Sequence, residues 1–179
     1  MITKAAVVLA AGKGIRMKSR IPKVLHRICG KAMLEHVVDA AKAGGFSRVI
    51  IVSPPNLIEK QLSLGNENVY VEQPEPLGTG DALSRAKNCL EGTEHFAVLS
   101  GDVPLITSDT LIRMRKFHIE TNAYITLLTA RKDVPGDLGR IIRDADYNVS
   151  AIVEQKDADE NTLALNEVNA GVYFFNGSW

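Results

Sequence analysis

Three short runs in this chain contain no polar residue: Ala5–Leu9, Val49–Val52 and Phe96–Leu99. Each is too short for a buried helix. Segments this apolar are strands covered on both faces, the signature of a parallel sheet rather than of a sheet with one wet side. Between them lie segments of helical period. Met33, Leu34, Val37, Val38 and Ala41 form one stripe, stopped by Gly44-Gly45. Leu57–Leu64, with Asn56 as N-cap, predicts a short helix. A further helix carries Ala82, Leu83, Ala86 and Leu90 behind a capping Thr79, and another opens at Ser108 and runs through Leu111, Ile112 and Phe117. Val69–Val71 and Tyr124–Thr129 read as additional strands.

Strands alternating with helices predict an α/β fold: a Rossmann-like, mostly parallel sheet flanked by helices. After about residue 138 the rhythm changes. Arg140–Arg143, Val149–Val153 and Val168–Phe175 read as strands joined by polar turns, a late β-rich region suited to a lid or substrate platform. The expected organisation is a single domain over residues 1–179. With 45% hydrophobic residues, a chain of 179 can build its own core without staples.

In open parallel sheets, ligands bind beyond the carboxyl ends of the strands. The loop after the first strand reads Leu9-Ala10-Ala11-Gly12-Lys13-Gly14-Ile15-Arg16-Met17, followed by Pro22-Lys23. Two glycines let the backbone approach a phosphate, and Lys13, Arg16 and Lys23 add positive charge. The dinucleotide fingerprint fails at Met17, and no Walker A loop is present. Ser100-Gly101-Asp102 follows the third run. A carboxylate there suits Mg²⁺, which takes few protein carboxylates and fills its shell from substrate phosphates. A turn or cap aspartate is the plainer alternative. Past Val71 comes Gln73, whose amide can read a uracil edge, and Gly78-Thr79 would bring helix N–H groups toward a ligand. Gly139, Glu154 and Asn169 add polar groups in the late region.

Lys plus Arg and Asp plus Glu balance at 21 each, which argues against a nucleic-acid or membrane surface. The apolar start runs straight into Gly12 and cations, as a strand does and a signal peptide does not. Cys29 and Cys89 read as reduced core thiols of a cytoplasmic protein, and the four histidines lack metal-ligand spacing.

Taken in order, these motifs resemble those of the sugar-phosphate nucleotidyltransferase superfamily. The closer similarity is to bifunctional N-acetylglucosamine-1-phosphate uridylyltransferase/glucosamine-1-phosphate N-acetyltransferases. It rests on Leu9 to Met17, Pro22-Lys23-Val24-Leu25-His26, Gly30 to Met33, Gln73 with Leu77 to Gly80, Gly101 to Leu105, Gly139-Arg140-Ile141, Ile152 to Ala158 and Asn166 to Gly171. The resemblance implies a fold of the nucleotide-diphospho-sugar transferase type. It also implies Mg²⁺-dependent transfer of a uridylyl group from UTP to N-acetylglucosamine 1-phosphate, serving cell-wall and lipopolysaccharide precursors.

By position, Leu9, Ala10, Ala11 and Gly12 would contact nucleoside and phosphates. Arg16 and Lys23 would be the catalytic cations. Gln73, Gly78 and Thr79 would hold uracil, and Ser100, Gly101 and Asp102 would meet the ribose and Mg²⁺. Gly139, Glu154 and Asn169 would hold the amino sugar. Ile15 departs from the family's usual Thr. The family's transferase part continues past Trp179 with a second metal ligand, an asparagine. A β-helix for acetyl transfer and trimerisation then follows, so the chain corresponds to a truncated transferase portion. A transferase for another sugar phosphate, or a nucleotide-binding module without catalysis, are the other readings.

Overall fold

The computed structural model describes residues 4–12, 14, 17–65 and 67–177. The chain forms two compact units, residues 1–126 with 173–179 and residues 127–172.

In the larger unit, β1 (Ala5–Leu9) lies between β4 (Arg48–Ser53) and β6 (His95–Ser100), parallel to both. β5 (Val69–Glu72) adds to β4, also parallel. Ala5 to Val8 and Ile50 to Val52 have at most traces of exposed surface, which is why these runs carry no polar side chain. One face packs Ala5, Val7, Ile50, Val52 and Val98 against Ala82, Ala86 and Leu90. These last come from α3 (Thr79–Arg85) and the 3-10 turn Lys87–Leu90 that follows it. Successive side chains on a strand point to opposite faces. Ala6 and Val8 therefore face the other side, where α1 (Met33–Ala43) lays its apolar stripe. α1 starts without a capping hydroxyl, but the Glu35 carboxylate accepts the Ala32 N–H at 2.6 Å. α2 (Leu57–Gln61) is short, and α4 (Ser108–Glu120) packs on α1. The last residues of β10 (Glu167–Asn176) lie next to β6, where the Phe175 and Phe96 rings stack at 5.4 Å.

The predicted helices and parallel strands are present, with local corrections. Asn56 does not cap α2. It is left-handed, and its side chain makes no capping bond. Thr79 is the first residue of α3 rather than its cap, and Leu90 belongs to the 3-10 turn. The cap of α4 is Thr107, which accepts the Thr110 N–H, and Tyr124 precedes β7 (Ile125–Arg131). A hairpin of β2 (Arg27–Ile28) and β3 (Lys31–Ala32) escaped the sequence reading. Its central residues Cys29 and Gly30 both have positive φ, and a cysteine gives no cue for that; at this turn Cys29 is exposed, not a core thiol, and Cys89 is only partly buried. His118 is fully buried, with Nδ1 2.8 Å from the Thr126 hydroxyl and its ring edge-on to His95. Burial, then the His95 charge, lowers its pKa.

The smaller unit is antiparallel. β8 (Arg140–Arg143) pairs with β9 (Val149–Val153) and with the first half of β10, joined at Val168 opposite Arg140. α5 (Glu160–Leu163) starts on Asp159, whose side chain accepts the Thr162 N–H. The unit is tied by a fork: the Arg143 guanidinium donates to both Glu167 carboxylate oxygens, at 2.6 and 2.9 Å. Those bonds, with Thr129 and the Arg143 and Arg131 charges, bring the Glu167 carboxyl from 4.5 down to about 2.

A carboxyl whose folded pKa lies below its unfolded value contributes stability that is complete above the unfolded pKa. That contribution is lost as pH falls through the folded one. Glu167→Gln is therefore expected to cost about 1–3 kcal/mol at pH 7. It is also expected to flatten the loss of stability between pH 4.5 and about 2. Urea unfolding as a function of pH measures both.

Candidate functional site

The register of the parallel strands sets their carboxyl ends level. Leu9 lies opposite Val52 and Ser100, and Val52 lies opposite Val71. The next backbone amides continue the ladder: Ala10 N–H donates to Val52 O, Gln73 N–H to Ser53 O and Gly101 N–H to Leu9 O, at 2.7, 2.8 and 2.9 Å. Three loops thus leave one edge at fixed positions.

A cleft of about 360 Å³ opens there, lined by Leu9, Ala11, Gly12, Gln73, Pro76, Gly78, Thr79 and Ala82. A mostly apolar cleft of this size with a few directed polar groups fits a base and its sugar. Six of the expected residues meet in it: Leu9, Ala11, Gly12, Gln73, Gly78 and Thr79. Pro76 and Ala82 were not foreseen, since an apolar lining residue looks like any core residue in sequence. Ala10 does not line the cleft: the residue has 2% of its surface exposed, and its N–H is taken by Val52 O. Gly78 has φ 111° and ψ 176°, a region open only to glycine, and that turn directs its carbonyl at Gln73.

Beside this cleft, Lys23 and Asp102 form an ion pair, Nζ to Oδ2 2.5 Å, with 40% and 29% of their side chains exposed. Lys23 starts a 3-10 turn after Pro22. Gly14 lies against it, since a Cβ on Gly14 would come within 2.7 Å of the Lys23 Cβ. Gly101, just before Asp102, has Leu9 O, Leu34 and Val24 within 3.0 to 3.3 Å of where a side chain would start. A side chain at 101 would have to push these neighbours by a few tenths of an ångström, which glycine avoids. Ser100 ends β6 next to Leu9. The proposed catalytic Arg16, with Lys13 and Ile15, lies outside the described residues.

In the smaller unit, Gly139, Glu154 and Asn169 come together. The Glu154 carboxylate passes over Gly139, with Oε1 3.2 Å from where a Cβ would stand. Asn169 N–H donates to Gly139 O at 2.9 Å, and its side-chain oxygen accepts the Gly171 N–H at 3.0 Å. These three positions flank the register pairs Arg140–Val153 and Arg140–Val168, a proximity that linear spacing cannot show.

A parallel sheet whose strand ends hold a base-sized cleft beside a lysine–aspartate pair defines a nucleotide-handling α/β domain. The chain belongs to the MobA-like NTP transferase domain family, whose model matches residues 6–153. It is 42% identical over 172 residues to the bifunctional protein GlmU of Clostridioides difficile, and 45% identical over 173 to that of Lactobacillus helveticus. Each match covers 96% of this chain and 38% of the relative, so the chain spans about two-fifths of their length. Among solved structures, a UDP-glucose pyrophosphorylase complexed with UDP-glucose superposes with a TM-score of 0.76 at 20% identity, covering 98% of this chain and 76% of that one. A putative glucose-1-phosphate thymidylyltransferase from Bacillus anthracis gives 0.78 at 17%, covering 97% and 72%. These two establish the shared fold.

Gly78→Ala is expected to cost about 1–3 kcal/mol through its backbone conformation alone. It is also expected to weaken nucleotide binding in the cleft while the sheet stays folded. Thermal unfolding and a nucleotide titration check the two effects separately.

Proposed function

We propose that this chain transfers a uridylyl group from UTP to N-acetylglucosamine 1-phosphate, giving UDP-N-acetylglucosamine and pyrophosphate, in the cytoplasm. The observation that carries the reading is the cleft with Gln73 on its wall, next to Lys23 and Asp102 at the neighbouring strand ends. Supporting it are the similarity to the GlmU proteins and the fold shared with a UDP-glucose pyrophosphorylase.

In the reaction, a phosphate oxygen of the sugar phosphate attacks the α-phosphorus of UTP. A P–O bond forms there, and the bond to the β-phosphate oxygen breaks. Pyrophosphate leaves with the electron pair. The attacking phosphate, with a second pKa of about 6, is largely ionised at pH 7 and needs no general base. What the site must supply is positive charge where two anions meet. Lys23 brings one such charge, held at the strand ends by its turn and by Asp102.

Asp102 would hold Mg²⁺. It is a hard oxygen donor, part-exposed at the sheet edge. Among the described residues no group of three or more His, Cys, Asp or Glu converges as a metal cage. That suits an ion taking most of its ligands from phosphates and water. When bound, Mg²⁺ neutralises phosphate charge and favours departure of pyrophosphate. Gly139, Glu154 and Asn169 would hold the amino sugar, with the Glu154 carboxylate accepting from sugar hydroxyls.

The reading is tested by pyrophosphate release with a panel of nucleoside triphosphates and sugar phosphates, beside calorimetry with UDP-N-acetylglucosamine. Preference for another sugar phosphate would reassign the substrate, and binding without pyrophosphate release would make this a nucleotide-binding module. Asp102→Ala is expected to remove Mg²⁺-dependent turnover, and turnover retained at ordinary Mg²⁺ would refute its role. Lys23→Ala is expected to lower kcat/KM by about 10²–10³-fold, the loss typical of one charge-stabilising donor. An unchanged kcat/KM would remove Lys23 from the chemistry.

A further inference from the structure

Gln73 stands on the wall of the cleft with 2% of its surface exposed, one residue beyond β5. A glutamine amide has two N–H hydrogens and one carbonyl oxygen. Here both hydrogens have partners within the protein: Nε2 donates to Gly78 O at 3.2 Å and to Asp81 Oδ2 at 2.7 Å. Neither partner can donate in return. Turning the amide over would set its oxygen against a carbonyl and a carboxylate at once, so the orientation is chemically determined. Asp81 is itself anchored one turn along α3, where Arg85 Nε donates to the same Oδ2 at 2.9 Å. That bond, followed by the one from Gln73, lowers the Asp81 pKa and keeps it an acceptor near neutral pH.

We propose that Asp81 is a specificity-determining positioning residue. By holding the Gln73 amide with only its carbonyl oxygen left to a ligand, it makes this point of the cleft accept a hydrogen bond and unable to donate one. The inference rests on the reading of the cleft as the base site. An acceptor suits a pyrimidine whose ring N3 carries hydrogen, as uracil and thymine do. Cytosine presents a bare N3, which would place lone pair against lone pair and leave both groups unpaired in a nearly buried site. A site built to hydrogen-bond a given group discriminates strongly against a ligand that leaves it unpaired. Asp81 reads in sequence as an ordinary acid in a helix's first turn. Only the return of α3 over the end of β5 brings it to Gln73.

The test is calorimetric affinity for UTP, dTTP and CTP in the intact protein, its Asp81→Ala variant and its Asp81→Asn variant. Loss of the carboxylate removes the shorter of the two bonds that hold the amide and leaves only the longer one to Gly78 O, so Asp81→Ala is expected to lower the UTP-to-CTP affinity ratio by about tenfold. The UTP-to-dTTP ratio is expected to stay, because both bases carry N3–H. Asp81→Asn still offers a carbonyl oxygen at the Oδ2 position, where the Arg85 Nε–H requires an acceptor, so its amide is held with that oxygen toward Nε2 and the variant is expected to keep most of the preference. A purely structural role would weaken all three nucleotides together. An unchanged UTP-to-CTP ratio in folded Asp81→Ala, or an equal shift in both ratios, overturns the proposal. If Asp81→Ala does not fold, Asp81→Ser replaces it, since a hydroxyl can donate as well as accept and lifts the same constraint. A wild-type protein with no preference for UTP over CTP would instead refute the base-site reading itself.

Discussion

The parallel ladder of β1 with β4 and β6 is the constraint on which the larger unit depends. Its side chains are buried on both faces, and each fully buried valine, leucine or isoleucine contributes about 1.5–3 kcal/mol over the exposed state. A slip of one residue would turn every side chain to the other face, so the register is held firmly. That register levels Leu9, Val52, Val71 and Ser100, and with them the three loops that leave the edge. The cleft is a consequence of the ladder. Its walls are the residues around the ends of β1 and β5 together with the start of α3.

What those loops hold is a division of labour between apolar shape and a few charges. The cleft is lined mostly by apolar groups, with the Gln73 amide, Thr79 and glycine backbone among them, whereas the adjacent strand ends carry the Lys23–Asp102 pair. In the pair, each partner compensates the other's charge. A lysine and an aspartate exposed as these are gain little net stability from one another. Their persistence side by side reflects the positions set by the Pro22 turn and the end of β6 more than mutual attraction.

Much was legible in the sequence because the physics there is local. Ala5–Leu9 and Phe96–Leu99 had to be strands buried on two faces, and the Met33–Ala41 stripe had to be a helix. Asp102 had to stand at a strand end, because the apolar run before it stops there. Errors arose where backbone geometry left no mark in side chains. Cys29 sits at positive φ in a hairpin, Asn56 is left-handed without capping, and Thr79 lies inside α3 rather than before it. Pro76, Ala82 and Asp81 were missed because lining a cleft, or steering a neighbour's amide, depends on which helix returns over which strand.

The sequence by itself determined the class of fold, the strand ends at which polar groups gather, and the kinds of group available there: glycine-rich backbone, lysine, carboxylate and amide. These follow from hydrophobic period and from residue chemistry, which are properties of neighbours along the chain. Only the tertiary structure decided that Lys23 meets Asp102, that Glu154 covers Gly139 beside Asn169, and that Asp81 turns the Gln73 amide so that it accepts. Those pairings join residues 8 to 79 positions apart. They exist because sheet register and helix packing, summed over the whole core, bring distant loops within hydrogen-bond reach.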